Sequence, residues 1–417
     1  MIGSGIFLLP ASLAAYGPVG IVGWLCAAVG AILLALLFGQ LARFSPDKSG
    51  GPYAFSLLGL GDFAAFLVAW GYWIAIWATN AAIAVALVGY LSVFIPALGE
   101  SVVFSICVGL GFIWLFSFIN SKPIKTVASV QLITAILKVI PILALGVIGI
   151  FYMKASHFEV FNLSEESTFG AITSTTALTL FAFLGMESAG IVSADTKDAA
   201  KTVKYATIIG TLITVVAYIM SSIAVMGLIT ADVLAQSSAP FAEAGEKLWG
   251  PSARYIIAGC AVCATIGALN GWILLQGRIP MAAATDRLFP SVFGKLNQHG
   301  SPVSGIIISS LLASILMLLN YSKSLVEAFT FMMMLSTLSC LIPYLFSAIS
   351  YIILRIREGG KMSDSMMIVA SLCFIFCVWV VYGCGHEVVF YGFLLLLAGM
   401  PVYVFSKYSK NIEINKR

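Results

Sequence analysis

Met1-Ile-Gly-Ser-Gly-Ile-Phe-Leu-Leu-Pro10 holds an apolar run interrupted by Gly3-Ser4-Gly5. Two glycines around a serine are poor helix material, because glycine loses the most backbone freedom on ordering and offers no side chain to pack. Inside a membrane, such a weak point breaks a helix. The N–H and C=O groups it frees are tolerated only where they line a cavity or a ligand site. A helix N-terminus left open at mid-depth attracts an anionic group such as a carboxylate. The alternative is a small-residue notch that lets two helices approach closely.

The surrounding composition favours the membrane. Of 417 residues, 60% are hydrophobic and only 10% charged, with a mean hydropathy of +1.03. That excludes a soluble domain of this size and implies an all-α polytopic membrane protein. Cys260 and Cys263 form a C-x-x-C, but on an apolar stretch without a basic neighbour, where cysteine reads as a small buried hydrophobe. The histidines stand apart at 157, 299 and 386. No metal site, no cofactor, no nucleic-acid partner and no enzymatic constellation is expected.

Twelve apolar segments reach or approach bilayer length. They lie at about 1–16, 20–42, 62–95, 102–120, 128–152, 171–194, 204–229, 252–276, 303–320, 326–354, 365–384 and 388–406. They form one membrane domain over 1–417, which divides, if segments 1–5 and 6–10 are two halves, into a first repeat at about 1–152, a second at about 171–354, and two further helices at about 365–406. The connecting loops alternate in charge. With the chain start on the cytoplasmic side, seventeen lysines and arginines fall inside and only Lys154, Lys247, Arg254 and Lys323 outside. Both termini are therefore expected in the cytoplasm. The first segment is short: eleven residues separate Gly5 from Tyr16-Gly17-Pro18, half a transmembrane helix. If Gly3-Ser4-Gly5 is a mid-membrane break, the other half-helix lies upstream of Met1.

Of eighteen acidic residues, seventeen fall in loops or at segment ends, and Glu187 does not. It sits in Phe181-Ala-Phe-Leu-Gly-Met-Glu-Ser-Ala-Gly190, in the middle of the sixth segment. An intramembrane carboxylate is expensive and points to function, with a structural hydrogen bond to a neighbouring helix as the alternative. Gly185 and Gly190 flank it, a second weak point in a second helix. Segments one and six occupy corresponding places in the two repeats, and paired interruptions of this kind mark a secondary-transporter site. Lys138 is the one basic residue inside a span. It either snorkels to the interface or faces the free carbonyls of the broken first helix, standing in for a coupling cation. In segment three, Tyr72, Ile76 and Ile83 share a stripe with Asn80 near its edge, and an amide at depth needs a partner. Trp272 follows Asn270-Gly271 in segment eight, and Ser336, Ser339 and Tyr344 add hydroxyls to segment ten.

Five motifs carry a family resemblance: Gly3-Ser-Gly-Ile-Phe-Leu-Leu-Pro10, Ser49-Gly-Gly-Pro-Tyr-Ala-Phe55, Gly185-Met-Glu-Ser188, Gly271-Trp272 and Asp286-Arg-Leu-Phe-Pro290. With these the chain resembles the amino acid–polyamine–organocation transporters. Within them it is most similar to the bacterial basic amino acid/polyamine antiporters of the arginine/agmatine kind. The resemblance implies a LeuT-type fold, with ten core helices in a 5+5 inverted repeat and two more, twelve in all.

It also implies roles for single residues. The substrate carboxylate would meet the backbone around Ser4 and Gly5. The amino group would meet carbonyls near Phe181 and Leu184. Asn80 and Trp272 match positions that hold a guanidinium, and Tyr72, Ala75, Ile76, Phe329 and Ser336 match others lining that pocket. Tyr53 and Glu187 match positions of pH sensing and gating, and Tyr344 a tyrosine of the gate. Two residues depart from the arginine/agmatine pattern. Phe181 replaces a tryptophan, and Lys138 replaces an apolar residue, as in some sodium-independent relatives. The expected function is exchange of a basic amino acid for its decarboxylated amine by alternating access. The rivals are a proton-coupled symporter of the same fold and a substrate-sensing receptor without transport. Expected partners are these small amines and amino acids and the lipid bilayer, with a homodimer left open.

Overall fold

The computed structural model describes residues 5–44, 51–122, 139–187, 199–320, 322–361 and 363–415. Every regular element among them is helical. Eight helices are long and apolar enough to cross a membrane, and four shorter apolar helices accompany them. Together they fall on the twelve apolar segments of the sequence. The chain runs first through α1 (Gly5–Ala14), α2 (Val19–Leu41), the short α3 (Pro52–Leu60) and α4 (Asp62–Leu91). After a turn, α5 (Ala97–Glu100), come α6 (Val102–Asn120) and α7 (Val139–Tyr152). Then follow α8 (Thr168–Leu180), α9 (Ala199–Leu228), the small α10 (Ala231–Gln236) and α11 (Pro240–Trp249), and after them α12 (Pro251–Thr285), α13 (Val303–Leu319) and α14 (Leu325–Arg357). The chain closes with α15 (Ser365–Gly383), α16 (His386–Leu397) and α17 (Gly399–Asn415).

α4 is the axis of the bundle. It is buried along nearly its whole length, and it packs on α14 and α12. Its small residues explain how: Ala75, Ala78, Ala81, Ala82, Ala84 and Ala86 keep the surface narrow enough for helices to approach on every side. α14 lies antiparallel beside it. Thr79 Oγ1 and Ser336 Oγ are 2.6 Å apart, and Ser336 Oγ also donates to the Ala75 carbonyl at 3.0 Å. Nearer the other ends of the pair, Val85 and Val88 line one cavity with Ala328 and Met332. The outer helices face lipid instead: α6, α15 and α16 leave Val103, Phe118, Ile375 and Phe390 exposed.

Two contacts brace the helices that matter below. The absent side chain of Gly23 makes room for α8, since a Cβ there would stand 2.4 Å from Thr175 Oγ1. Thr179 Oγ1 donates to the Gly23 carbonyl at 3.2 Å and to its own helix at Thr175 O at 2.8 Å. Hydroxyls that bond back to the preceding turn satisfy themselves in an apolar medium. On α12, Pro280 has no N–H to give the carbonyl of Gln276 four residues earlier. Ser309 Oγ of α13 reaches that carbonyl at 3.2 Å, and Trp73 Nε1 of α4 donates to the same hydroxyl at 2.7 Å.

Candidate functional site

Gly5, the one described residue of the first weak point, meets the second. α1 is described from Gly5, and all ten of its residues are buried. α8 leaves α-helical geometry at Leu180, passes through a 3₁₀ turn at Phe181–Phe183, and becomes extended at Leu184 (φ −58°, ψ 146°). Gly185 then takes φ +94°, a conformation open to glycine and strained for other residues. A Cβ on Gly5 would lie 3.0 Å from the Phe181 ring, so this turn of α1 packs directly against the break in α8. Leu184 is buried, and its N–H bonds the Phe181 carbonyl at 3.1 Å. The Phe181 ring meets the edge of Phe329 at a centroid distance of 6.1 Å. Gly5, Phe181, Leu184 and Phe329 are thus one cluster. Ser4 and Lys138 lie outside the described residues.

A second cluster surrounds Glu187, which is 2% exposed. Tyr72 Oη of α4 donates to Oε1 at 2.7 Å, and Tyr344 Oη of α14 donates to Oε2 at 2.6 Å. The Gly185 N–H donates to both oxygens, at 3.2 and 3.1 Å. A carboxylate has no hydrogen of its own, so three donors from three elements converge on it and offset the cost of its burial. Glu187 is the one ionisable Asp, Glu, Lys or Arg that is fully buried among the described residues. It ties the broken helix to both central helices at once.

The third cluster was only half anticipated. Asn80, fully buried, gives its Nδ2 to Oε1 of Gln276 at 2.7 Å. Gln276 was not singled out in the sequence. Trp272 stands one turn before it on α12 and is half-buried, on the same side of the helix. Ile76 lies between Tyr72 and Asn80 on α4 and is fully buried. Tyr72, Ile76 and Asn80 span eight positions, so the Glu187 and Gln276 clusters sit about 12 Å apart along α4 at 1.5 Å per residue.

The ends of the bundle differ. At the α3 end, Tyr53 Oη donates to Asp286 Oδ2 at 2.9 Å. Burial first, and then the Asp286 charge, push the Tyr53 phenol well up from its ordinary range, so it stays a donor throughout the physiological range. Arg357 closes the last turn of α3 through the carbonyls of Leu58 and Gly59, at 2.9 and 3.2 Å. Lys407 pairs with Asp62 nearby. At the opposite end of α14 the surface is hollow. A cavity of about 730 Å³ reaches down to Ser12, Thr330 and Met334, and a neighbouring one of about 570 Å³ shares Lys323 and Glu327 with it. Ser12 is seven residues from Gly5, which puts the cavity floor about 10 Å from the start of α1. Among the described residues the α3 end is tied by these polar contacts, and the larger cavity at the other end stops at Ser12, Thr330 and Met334. Tyr53→Phe removes one tie of the α3 end, by about 1 kcal/mol. We expect several-fold faster maleimide labelling of a cysteine introduced at Leu57 on a cysteine-free background. Unchanged labelling would mean that Arg357 and Lys407 hold this end alone.

A helix that breaks at Phe181–Leu184 against the buried residues of α1, beside a buried three-donor carboxylate, is the arrangement expected at a secondary-transporter site. The family model described as Amino acid permease matches residues 1–403. The chain belongs to the amino acid permease family. It is a transporter and not an enzyme. Among curated permeases it is 32% identical to the putative arginine/ornithine antiporter of Bacillus subtilis, over 97% of this chain and 94% of that one. It is 28% identical to the arginine/ornithine antiporter of Pseudomonas aeruginosa, over 98% of this chain and 88% of that one. It is 30% identical to the cadaverine/lysine antiporter of Escherichia coli K12, over 90% of this chain and 85% of that one.

Proposed function

We propose that this permease is an antiporter that exchanges one cationic amino acid or amine for another across the bacterial inner membrane, with both termini cytoplasmic. The observation that carries the reading is the similarity, over nearly the whole chain, to antiporters of arginine, ornithine, lysine and cadaverine. The charge distribution agrees with it. The hollow end holds Glu159, Glu165, Glu166, Glu243, Glu246 and Glu387 against Lys154, Lys247, Arg254 and Lys323, so a cation approaching that end meets an excess of negative charge. In this reading the hollow end is periplasmic or extracellular and the α3 end cytoplasmic.

The substrate carboxylate meets the backbone at Ser4 and Gly5, and the amino group meets carbonyls of the break at Phe181 and Leu184. The cationic head extends toward Asn80 and Trp272, past Ala75, Ile76 and Ser336. Phe181 and Phe329 must part for the substrate to enter, since the Phe181 ring stands against Gly5 and packs on Phe329. Entry of the substrate at Gly5 then pulls on Glu187 through the two residues after Leu184, and Glu187 transmits that pull to Tyr72 and Tyr344. Lys138 supplies the positive charge that sodium supplies in sodium-coupled relatives.

Reconstitution tests the reading. Proteoliposomes loaded with arginine should take up labelled arginine or ornithine, and empty ones should not, with sodium replaced by choline throughout. Uptake into empty vesicles driven by an imposed pH gradient would favour the proton-coupled symporter; binding without any uptake would favour the receptor. Within the same assay, Trp272→Ala should raise the KM for arginine about fivefold or more, and Trp272→Phe much less, because a smaller ring keeps part of a cation–π attraction of about 0.5–2 kcal/mol. Equal effects of the two would reduce Trp272 to packing.

A further inference from the structure

Asn80 does not stand alone. Its Nδ2 gives a hydrogen bond to Gln276 Oε1 at 2.7 Å, and Gln276 Nε2 reaches Ser310 Oγ of α13 at 2.7 Å and the Ile306 carbonyl at 3.3 Å. Ser310 Oγ is 2.6 Å from Ser117 Oγ of α6, and Ser117 Oγ bonds the Ile113 carbonyl at 2.7 Å. All the side chains of this relay are fully or almost fully buried, and it joins α4, α12, α13 and α6.

An amide side chain looks alike from both ends, so its orientation follows from its partners. Here the partners decide it. A backbone carbonyl only accepts. Ser117 must therefore spend its proton on Ile113. Ser310 then gives its own proton to Ser117 and accepts from Gln276. The Ile306 carbonyl makes the same demand, so the NH₂ end of Gln276 points toward α13 and its oxygen points toward α4. Asn80 answers that oxygen with its own NH₂. What remains is Asn80 Oδ1, which is buried and has no hydrogen-bond partner among the described residues. An orphaned acceptor of this kind costs about 1–3 kcal/mol until a donor reaches it.

We infer that Gln276 is a positioning and specificity-determining residue: through the one-way relay Asn80–Gln276–Ser310–Ser117–Ile113 it fixes Asn80 as an acceptor, so that the site takes a side-chain head that donates N–H and refuses one that offers an oxygen. The inference rests on the reading of Asn80 as a substrate contact. It adds the reason a guanidinium or ammonium is chosen over a neutral isostere: the polarity comes from α6, two hydrogen bonds beyond Gln276. A free asparagine would rotate its amide by half a turn and accommodate either head.

The test compares arginine with citrulline, in which a urea oxygen replaces one guanidinium nitrogen. Exchange is measured in proteoliposomes for the wild-type chain, Gln276→Leu, Ser117→Ala and Asn80→Ala, with citrulline as competitor. In Gln276→Leu the preference for arginine over citrulline should narrow by about tenfold, in KM and inhibition constant and not in kcat. Ser117→Ala should narrow it in the same direction by a smaller factor, because the Ile306 carbonyl still orients Gln276. A packing role for Gln276 predicts no effect of Ser117→Ala and no selective change for citrulline. If Asn80→Ala raises the arginine KM while both relay variants keep the wild-type preference, the relay is overturned and the substrate reading stands. If Asn80→Ala leaves the arginine KM unchanged, Asn80 does not touch substrate, and the inference falls with that reading. Where Gln276→Leu does not fold, the Ser117→Ala preference decides by the same two outcomes.

Discussion

Glu187→Gln is expected to slow exchange by roughly 10- to 100-fold while the protein stays folded. The carboxylate now accepts from Tyr72, Tyr344 and the Gly185 N–H. A glutamine matches it in size but offers one acceptor oxygen and one donating NH₂. Either phenol can turn round and accept from that NH₂. The Gly185 N–H cannot. The charge-assisted bonds also become neutral ones, each losing about 1 kcal/mol or more. The broken helix is therefore no longer held to α4 and α14 together, as the proposed coupling of Glu187 to Tyr72 and Tyr344 requires. The measurement is arginine counterflow beside a size-exclusion profile and a thermal melt in detergent. Tyr344→Phe and Tyr72→Phe should each fall between wild type and Glu187→Gln, because each removes one donor and keeps the charge. Wild-type exchange in Glu187→Gln would show that the carboxylate only fills space.

Part of this candidate site is legible in the sequence, and the reason is the chemistry of an apolar solvent. A glycine pair inside an apolar run, as at Gly3 and Gly5, and a lone carboxylate in another, as at Glu187, have few structural uses in lipid. Their strangeness makes them candidates without any knowledge of the fold, and the structure brings Gly5 against the Phe181 break and buries Glu187. The partners of Glu187 are a different matter. Tyr72 and Tyr344 are separated from it by 115 and 157 residues, and spacing along one helix says nothing about a contact between three. Gln276 is missed for a more particular reason. Hydropathy ends the eighth segment at about 276, which places the glutamine at the water interface, where an amide needs no explanation. In the structure α12 continues to Thr285, so Gln276 lies at depth, with Pro280 and Arg278 inside the same helix. The proline that looks like a helix stop is instead accommodated beside Ser309, whose hydroxyl bonds the Gly305 carbonyl at 2.7 Å and lies 3.2 Å from the freed Gln276 carbonyl. Ser117 and Ser310 belong to the same blind spot: single serines in apolar helices are common, and only the packing of α6 on α13 puts their hydroxyls in line.

Gly185→Ala should abolish most exchange, by more than about tenfold, although it adds only a methyl group. The residue holds φ +94°, where an L side chain is strained by about 1–3 kcal/mol. The backbone is expected to relieve that strain by turning away, and the N–H that turns with it is one of the three donors on Glu187. A single rotation thus disturbs both the geometry of the break beside Phe181 and the hydrogen bonds that hold Glu187. Size and backbone conformation can be separated. Asparagine is larger than alanine but visits positive φ far more readily, because its short polar side chain bonds locally to the backbone. If conformation governs the site, Gly185→Asn retains more exchange than Gly185→Ala; if crowding governs it, the order reverses. Counterflow rates for the two variants, normalised to folded protein in the vesicles, decide between them. An alanine variant with wild-type exchange would mean that the backbone at 185 is free to relax without moving Glu187, and the coupling of the break to the gate through this residue would be lost.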